Sequence, residues 1–279
     1  VDLKTNEVLY YSPTDFVVSS NTTGYNAPKF NTDTIKIMKL FDGIFENDKM
    51  VDYMLNIFAK CLSGDNREEE LYVWIGKGGR NGKGTLSRLL QLAFGNLMKE
   101  VDISTFVKEQ SSAGQANANL VGMKNKRIVI TTEPEAHDKL LVGQLKKMRG
   151  KDGIECRGLY ERRTIVYYPQ FRLFSKANDE VKLSKVDKAI QKTLKTVKFD
   201  IDFVEEPKLS NERKINHDLK TEMETDHEHY RDAFISELFR RWIAMKESKN
   251  EIVVPDSVKE STEDYCNSNN LIKEWFDKH

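Results

Sequence analysis

The chain has 279 residues and a mass of 32.3 kDa, enough for one large domain or a compact domain with helical flanks. Hydrophobic residues make up 39% and charged residues 32%, and 44 basic side chains cancel 44 acidic ones, so a core can be built and a uniformly basic nucleic-acid coat is excluded. A membrane span is not expected, since no apolar run reaches about 18 residues, and the scattered Cys61, Cys156 and Cys266 exclude a disulfide framework or zinc ribbon and point to a reducing, intracellular setting.

Val1 opens the chain without a basic or apolar leader, so a fragment of a longer polypeptide is expected. Residues 1–66 read as a covering segment followed by helices. The segment is polar and turn-rich, with a short apolar run at Phe16-Val17-Val18. Between residues 33 and 62, Ile37, Leu40, Phe41, Ile44, Met54, Leu55, Ile57, Phe58 and Leu62 recur at helical spacing, which predicts two helices divided near Asn47-Asp48. Residues 67–207 change character. Leu71-Tyr72-Val73-Trp74-Ile75 reads as a buried parallel strand, residues 85–94 as a helix, and the runs Arg127-Ile128-Val129-Ile130-Thr131-Thr132 and Phe171-Arg172-Leu173-Phe174-Ser175 as two more strands. Strands alternating with helices predict an α/β core with a parallel sheet. After Pro207 the pattern turns helical: Phe234, Leu238, Trp242 and Met245 mark one helix, and a last one is expected near Ile272, Trp275 and Phe276, within a C-terminal helical part 208–279.

Chemistry concentrates in the middle. The run Gly76-Lys77-Gly78-Gly79-Arg80-Asn81-Gly82-Lys83-Gly84-Thr85 follows a strand and opens a helix. Glycines there let backbone N–H groups converge with the helix N-terminus on an anion. Lys83 would reach the β- and γ-phosphates of ATP, and a hydroxyl just beyond would ligate Mg²⁺. Five residues rather than four separate Gly76 from Gly82, and Gly84 takes the usual hydroxyl position, so Thr85 is the expected metal ligand. Hydrolysis also needs a carboxylate facing the γ-phosphate. Glu133, with Glu135 as second choice, ends a strand where ligands bind in open α/β sheets, and Glu133 would share the metal with Thr85. Asn178, just past the third strand, could bond the attacking water or the γ-phosphate.

Residues 139–163 hold eight basic side chains against three acidic, and residues 176–198 seven against three. The first stretch reads as a basic helix end followed by a β-hairpin with its tip near residues 160–163. Lys146, Lys147, Lys151, Arg157, Tyr160, Arg162 and Arg163 are its candidates for contacting single-stranded DNA by charge and stacking. His227-Glu228-His229 reads as a solvated helix face, Trp74, Trp242 and Trp275 as packing, and Cys156 as no nucleophile.

In this order, the phosphate loop, the Glu133-Pro134-Glu135 strand end, Leu145-Lys146-Lys147-Met148-Arg149-Gly150-Lys151-Asp152 with Cys156-Arg157-Gly158-Leu159-Tyr160, and Pro169-Gln170-Phe171-Arg172-Leu173-Phe174-Ser175-Lys176-Ala177-Asn178 resemble superfamily 3 helicases, above all the primase-helicases of large DNA viruses, phages and plasmids. Fifty residues part Lys83 from Glu133 and forty-five part Glu133 from Asn178, as in that compact core. Tyr11-Ser12-Pro13-Thr14-Asp15, Thr23-Gly24-Tyr25, Leu62-Ser63-Gly64-Asp65 and Asp202-Phe203-Val204-Glu205-Glu206-Pro207 extend the likeness over most of residues 1–207. The resemblance implies an AAA+-like core with helical extensions, assembly as a ring, hexameric by analogy, and ATP-driven 3′-to-5′ movement on single-stranded DNA during genome replication. A primase domain on the same longer chain is implied too, with the hairpin as DNA-gripping loop and Asn178 as first sensor. In place of the family's arginine pair stands Lys192-Thr193. A lysine lacks the bidentate fork, so Lys192, or Arg149 or Arg157, would have to serve as the finger, or hydrolysis would be slow. Two other readings remain open: a P-loop kinase of small substrates, and a DNA-binding or scaffold module that binds ATP and hydrolyses little.

Overall fold

The computed structural model describes residues 3, 33–45, 47–108, 116–135, 137–150, 152–248 and 251–269. The covering segment, its motifs at residues 11–15 and 23–25, Lys151 and the helix expected near residues 272–276 lie outside them.

Among the described residues two helices come first, α1 (Asp33–Ile44) and α2 (Asp48–Cys61), split where expected. Asn47 makes the division by capping α2, its Oδ1 accepting from the Met50 N–H at 3.0 Å. Strand β1 (Leu71–Ile75) leads through the glycine loop into α3 (Lys83–Phe94), then β2 (Met98–Val101), α4 (Ser104–Val107), α5 (Ala118–Gly122) and β3 (Ile128–Thr131). Next come β4 (Lys139–Leu140), α6 (Val142–Arg149) and the antiparallel hairpin β5 (Ile154–Cys156) and β6 (Ile165–Tyr167). Strand β7 (Arg172–Ala177), β8 (Lys182–Leu183), α7 (Lys188–Thr193) and β9 (Leu194–Lys198) complete the core. The remainder is β10 (Asp202–Val204), β11 (Glu212–Lys214), α8 (Asp218–Thr225), α9 (His227–Ser248) and α10 (Asp256–Ser268).

Five strands form one parallel sheet in the order β2-β3-β7-β1-β9. The three strands expected from apolar runs are its centre, and every residue of β1 and of β3 is buried, as strands covered on both faces require. The flanking strands β2 and β9 were not expected. Their sequences, Met98-Lys99-Glu100-Val101 and Leu194-Lys195-Thr196-Val197-Lys198, carry charges that edge positions tolerate and that blur an apolar run. The stretch after Pro207 likewise is not helical at once, because Glu212–Lys214 pairs in parallel with Asp202–Val204.

Helices cover both faces. On one, Phe41 of α1, Phe58 of α2, Leu86 of α3 and Phe234 of α9 share a cluster with Trp74 and Phe174 of the sheet, Phe58 meeting Trp74 edge-on at 6.2 Å. The first helices, the sheet and the C-terminal helices thus share one core. On the other face, Phe106, Leu145, Met148, Ile190 and Tyr265 cover Leu71, Val73, Val129 and Leu173.

Helix α10 also closes the β9 edge. The buried Thr196 N–H donates to the Thr262 hydroxyl at 2.8 Å, and that hydroxyl donates to the Val258 carbonyl. Thr262→Val keeps the volume and removes the acceptor, so the variant should lose about 1–3 kcal/mol of stability in denaturant unfolding, the cost of a buried unpaired donor. An unshifted midpoint would show that the edge does not depend on this cap.

Candidate functional site at the carboxyl edge of the sheet

The glycine loop lies between the end of β1 and the start of α3. From Gly78 through Arg80 and at Gly82 the backbone is left-handed (φ 74°, 74°, 53° and 87°), which turns the chain back on itself within a few residues. A side chain at Gly82 would meet Ile44 Cγ1 at 2.7 Å, so α1 packs directly against the loop. At Gly76 a Cβ would lie 2.3 Å from Asn81 Nδ2, which explains the glycine there. Arg80 is held in its left-handed conformation by the Phe203 N–H, which donates to its carbonyl at 2.9 Å and ties β10 to the loop. Positions 78, 79 and 84, in contrast, open into free space. The loop therefore has the shape of an anion cradle.

Lys83 is the first residue of α3 and only 3% exposed. Its Nζ donates to the Gly76 carbonyl at 2.8 Å and to Asn178 Oδ1 at 3.1 Å. The Asn178 amide in turn donates to Glu133 Oε2 at 2.6 Å. Three residues chosen from separate stretches of sequence thus form one hydrogen-bonded chain across the ends of β1, β7 and β3. Burial lowers the Lys83 pKa, while Glu133 pulls it upward. Glu135 is turned differently: its N–H is bound by Asp138 Oδ2 at 2.8 Å and its carbonyl accepts from the Asp138 N–H, a tight loop past the strand end.

Thr85 is half-buried in the wall of a cavity of about 640 Å³ between the loop, α1, β10 and α8. Leu40, Phe203, Ile215, Leu219 and Met223 give this cavity an apolar floor, and Lys36, Lys39, Arg80, Arg88, Lys214 and Lys220 give it a basic rim. Leu40, Ile44 and Phe203 were named from sequence only as helical core positions or as part of a family likeness, and none of the cavity residues outside the loop as a ligand contact. They come from segments far apart in the chain, and only the spacing of Lys36, Lys39 and Leu40 on one helix carried any signal.

The hairpin forms with its tip where expected, and Leu159, Arg162 and Arg163 are exposed. Tyr160 is 96% exposed with φ 64°, and Val166 and Tyr168 on the second arm are also exposed. The hairpin's base is fastened to α5 by the Asn117 N–H on the Arg157 carbonyl at 2.9 Å and by the Tyr167 hydroxyl on the Leu120 carbonyl at 2.6 Å. Lys147 is exposed, whereas Lys146 is half-buried and turns to Asp187 in an ion pair of 2.5 Å. Arg157 is half-buried, its Nη1 donating to the Glu161 carbonyl at 3.3 Å.

Lys192 is exposed on α7. Arg149 is unsuited to a finger reaching out to a neighbour: it is 3% exposed and its Nη1 donates to the Glu69 carbonyl at 2.8 Å. Cys156 is buried, which raises its thiol pKa and fits an inert side chain. Among the described residues no group of three His, Cys, Asp or Glu side chains could hold a metal ion, and no helix is long and apolar enough to cross a membrane.

A parallel sheet between two helical layers, with a glycine loop feeding the first helix and polar side chains gathered at the carboxyl edge, defines an α/β P-loop fold of the AAA+-like kind. The chain is 33% identical over 183 residues, 65% of its length, to "Putative helicase L207/L206" of Acanthamoeba polyphaga mimivirus. It is 25% identical over 182 residues to "Putative helicase 022R" of Frog virus 3. The matched segment is 19% of each of these viral proteins. Among solved structures the C-terminal region of NrS-1 shares the fold, with a TM-score of 0.54 at 15% identity over 90% of this chain and 54% of that one. No family model matches the chain. The chain is thus similar over about two thirds of its length to viral proteins named as putative helicases, and it shares its fold with the NrS-1 region.

Proposed function

We propose that the chain is the ATPase domain of a replicative DNA helicase that moves on single-stranded DNA. The observation that carries the reading is the Lys83–Asn178–Glu133 chain, which gathers a cation, an amide and a carboxylate beside the loop, the set that a γ-phosphate would need. Residues 78–85 would cradle the triphosphate, with Gly78, Gly79 and Gly84 open to close approach, Arg80, Asn81 and Gly82 shaping the turn and Lys83 supplying charge. The cavity beside Thr85 has the size and the apolar floor for the base and ribose. The Thr85 hydroxyl and the Glu133 carboxylate are the groups that would hold Mg²⁺, which would neutralise phosphate charge when bound. Glu133 would orient and deprotonate the attacking water, and Asn178 would hold that water or the γ-phosphate in line.

The hairpin would grip the strand with Tyr160 stacking on bases and Lys147, Arg157, Arg162 and Arg163 on phosphates. Ring assembly, hexameric by family likeness, 3′-to-5′ direction and a primase domain on the same longer chain belong to the same proposal. Lys192 would reach a neighbour's nucleotide as a point charge. The lysine in that place also favours a second reading, an ATP-binding scaffold with little hydrolysis.

The test is ATP turnover with and without single-stranded DNA across protein concentration. Turnover rising with both is expected, since DNA would couple to a site completed by a neighbour. Flat, negligible turnover would favour the scaffold. For the hairpin, replacing Arg162 and Arg163 together by alanine should weaken single-strand binding and lower the salt slope by about 1.4, roughly 0.7 for each phosphate that is no longer neutralised. An unaltered slope would make the hairpin an ordinary surface.

A further inference from the structure

Two short strands follow, along the chain, residues of the candidate nucleotide site. Glu133 lies six residues ahead of Lys139, where β4 begins, and Asn178 four residues ahead of Lys182, where β8 begins. These strands pair with each other in parallel, Lys139 opposite Lys182 and Leu140 opposite Leu183, both leucines buried. The pairing runs on, with the Ser184 N–H on the Leu140 carbonyl at 2.9 Å and the Val142 N–H on the Ser184 hydroxyl at 3.0 Å. Ser184 thereby serves the open N-terminus of α6. One turn further, Lys146 of α6 pairs with Asp187 at 2.5 Å, while the other Asp187 oxygen caps α7 through the Ala189 and Ile190 N–H groups. At its far end α6 is held by Asn66 Nδ2 on the Arg149 carbonyl at 2.8 Å, and the chain then enters the hairpin.

We propose that the β4–β8 pair and the Lys146–Asp187 ion pair form the strut that couples the nucleotide site to the hairpin, with Lys146, Ser184 and Asp187 as positioning residues. The inference rests on the motor reading above. The proposed base, Glu133, and the proposed sensor, Asn178, lead into strands bonded to each other, so a shift at either is delivered to α6 as one displacement. Lys146 and Asp187 keep α6 and α7 in register, so the hairpin and the helix that carries Lys192 move together. A basic residue in a stretch otherwise suited to DNA is thus engaged by a carboxylate of its own chain.

Asp187→Asn keeps the cap oxygen and removes the charge; Lys146→Met removes the other partner; Lys146→Arg retains the pair. In the full chain, ATP turnover with and without oligodeoxythymidylate, and affinity for that oligonucleotide across salt, separate the cases. Asp187→Asn should leave basal turnover, affinity and salt slope unchanged and cut DNA stimulation roughly 2–30-fold, the range of coupling changes of this kind. Lys146→Met should cut it equally, the double variant no further, and Lys146→Arg should retain it. Undiminished stimulation in Asp187→Asn overturns the strut. So does a salt slope lowered by about 0.7 in Lys146→Met alone, which would make Lys146 a phosphate contact. Wild-type turnover that does not respond to DNA removes the motor reading first, and the strut with it.

Discussion

Lys83→Met is expected to lose measurable nucleotide binding while folding at least as firmly as the wild type. The aliphatic stem remains and the charge goes, so the loop keeps its packing but offers no cation to the β- and γ-phosphates. Two charge-assisted hydrogen bonds of about 1.5–3 kcal/mol each amount to roughly 10²–10⁴ in affinity. Titration with a fluorescent ATP analogue would detect that loss, and unchanged affinity would move the phosphate site elsewhere. Stability supplies the second readout. Burial holds the Lys83 pKa below its ordinary value, so folding disfavours the cation. The unfolded chain binds more protons at this position, and stability rises with pH between the folded and unfolded values. Below that window the charged side chain costs stability, so at neutral pH its removal should leave Tm level or higher. A marked fall in Tm would show that the Gly76 and Asn178 contacts hold the fold rather than await a ligand.

Glu133→Gln should bind nucleotide normally and turn it over about 10²–10⁴-fold more slowly, the usual contribution of a positioned general base. The substitution is close to isosteric, and its amide oxygen can still accept from Asn178, now donating at 2.6 Å to Glu133. What disappears is the charge and the ability to take a proton. Single-turnover hydrolysis with saturating nucleotide isolates this step from binding. Hydrolysis near the wild-type rate would transfer the role to Glu135, whose backbone is tied into a turn by Asp138. Because the two variants separate binding from chemistry, an unaffected Glu133→Gln beside an inactive Lys83→Met would leave the cradle intact and relocate only the base.

Both outcomes follow from parts of the molecule that a linear reading reaches unequally. The central strands were legible because a parallel strand covered on both faces must be apolar throughout, as Leu71-Tyr72-Val73-Trp74-Ile75 is. Strands β2 and β9 carry lysines and a glutamate on exposed flanks, so neither has an uninterrupted run, and pairing with β3 and β1 is what makes them strands. The hairpin was legible from its length and from turn residues between two short apolar arms. The basic stretch before it was legible as charge, yet the partner of each cation was not: Lys146 meets Asp187 across forty-one positions, and Arg149 meets Glu69 across eighty.

By itself the sequence determined the elements whose cause is local: the glycine run and its lysine, the apolar centre of the sheet, the helix division near Asn47-Asp48 and the zoning of charge. Tertiary structure alone decided which of those residues meet. Strand pairing brought Asn178 between Lys83 and Glu133, and the packing of α1, β10 and α8 opened the cavity beside Thr85. Backbone conformation is set within a few residues, whereas the distance between side chains a hundred positions apart depends on how buried surfaces fit together.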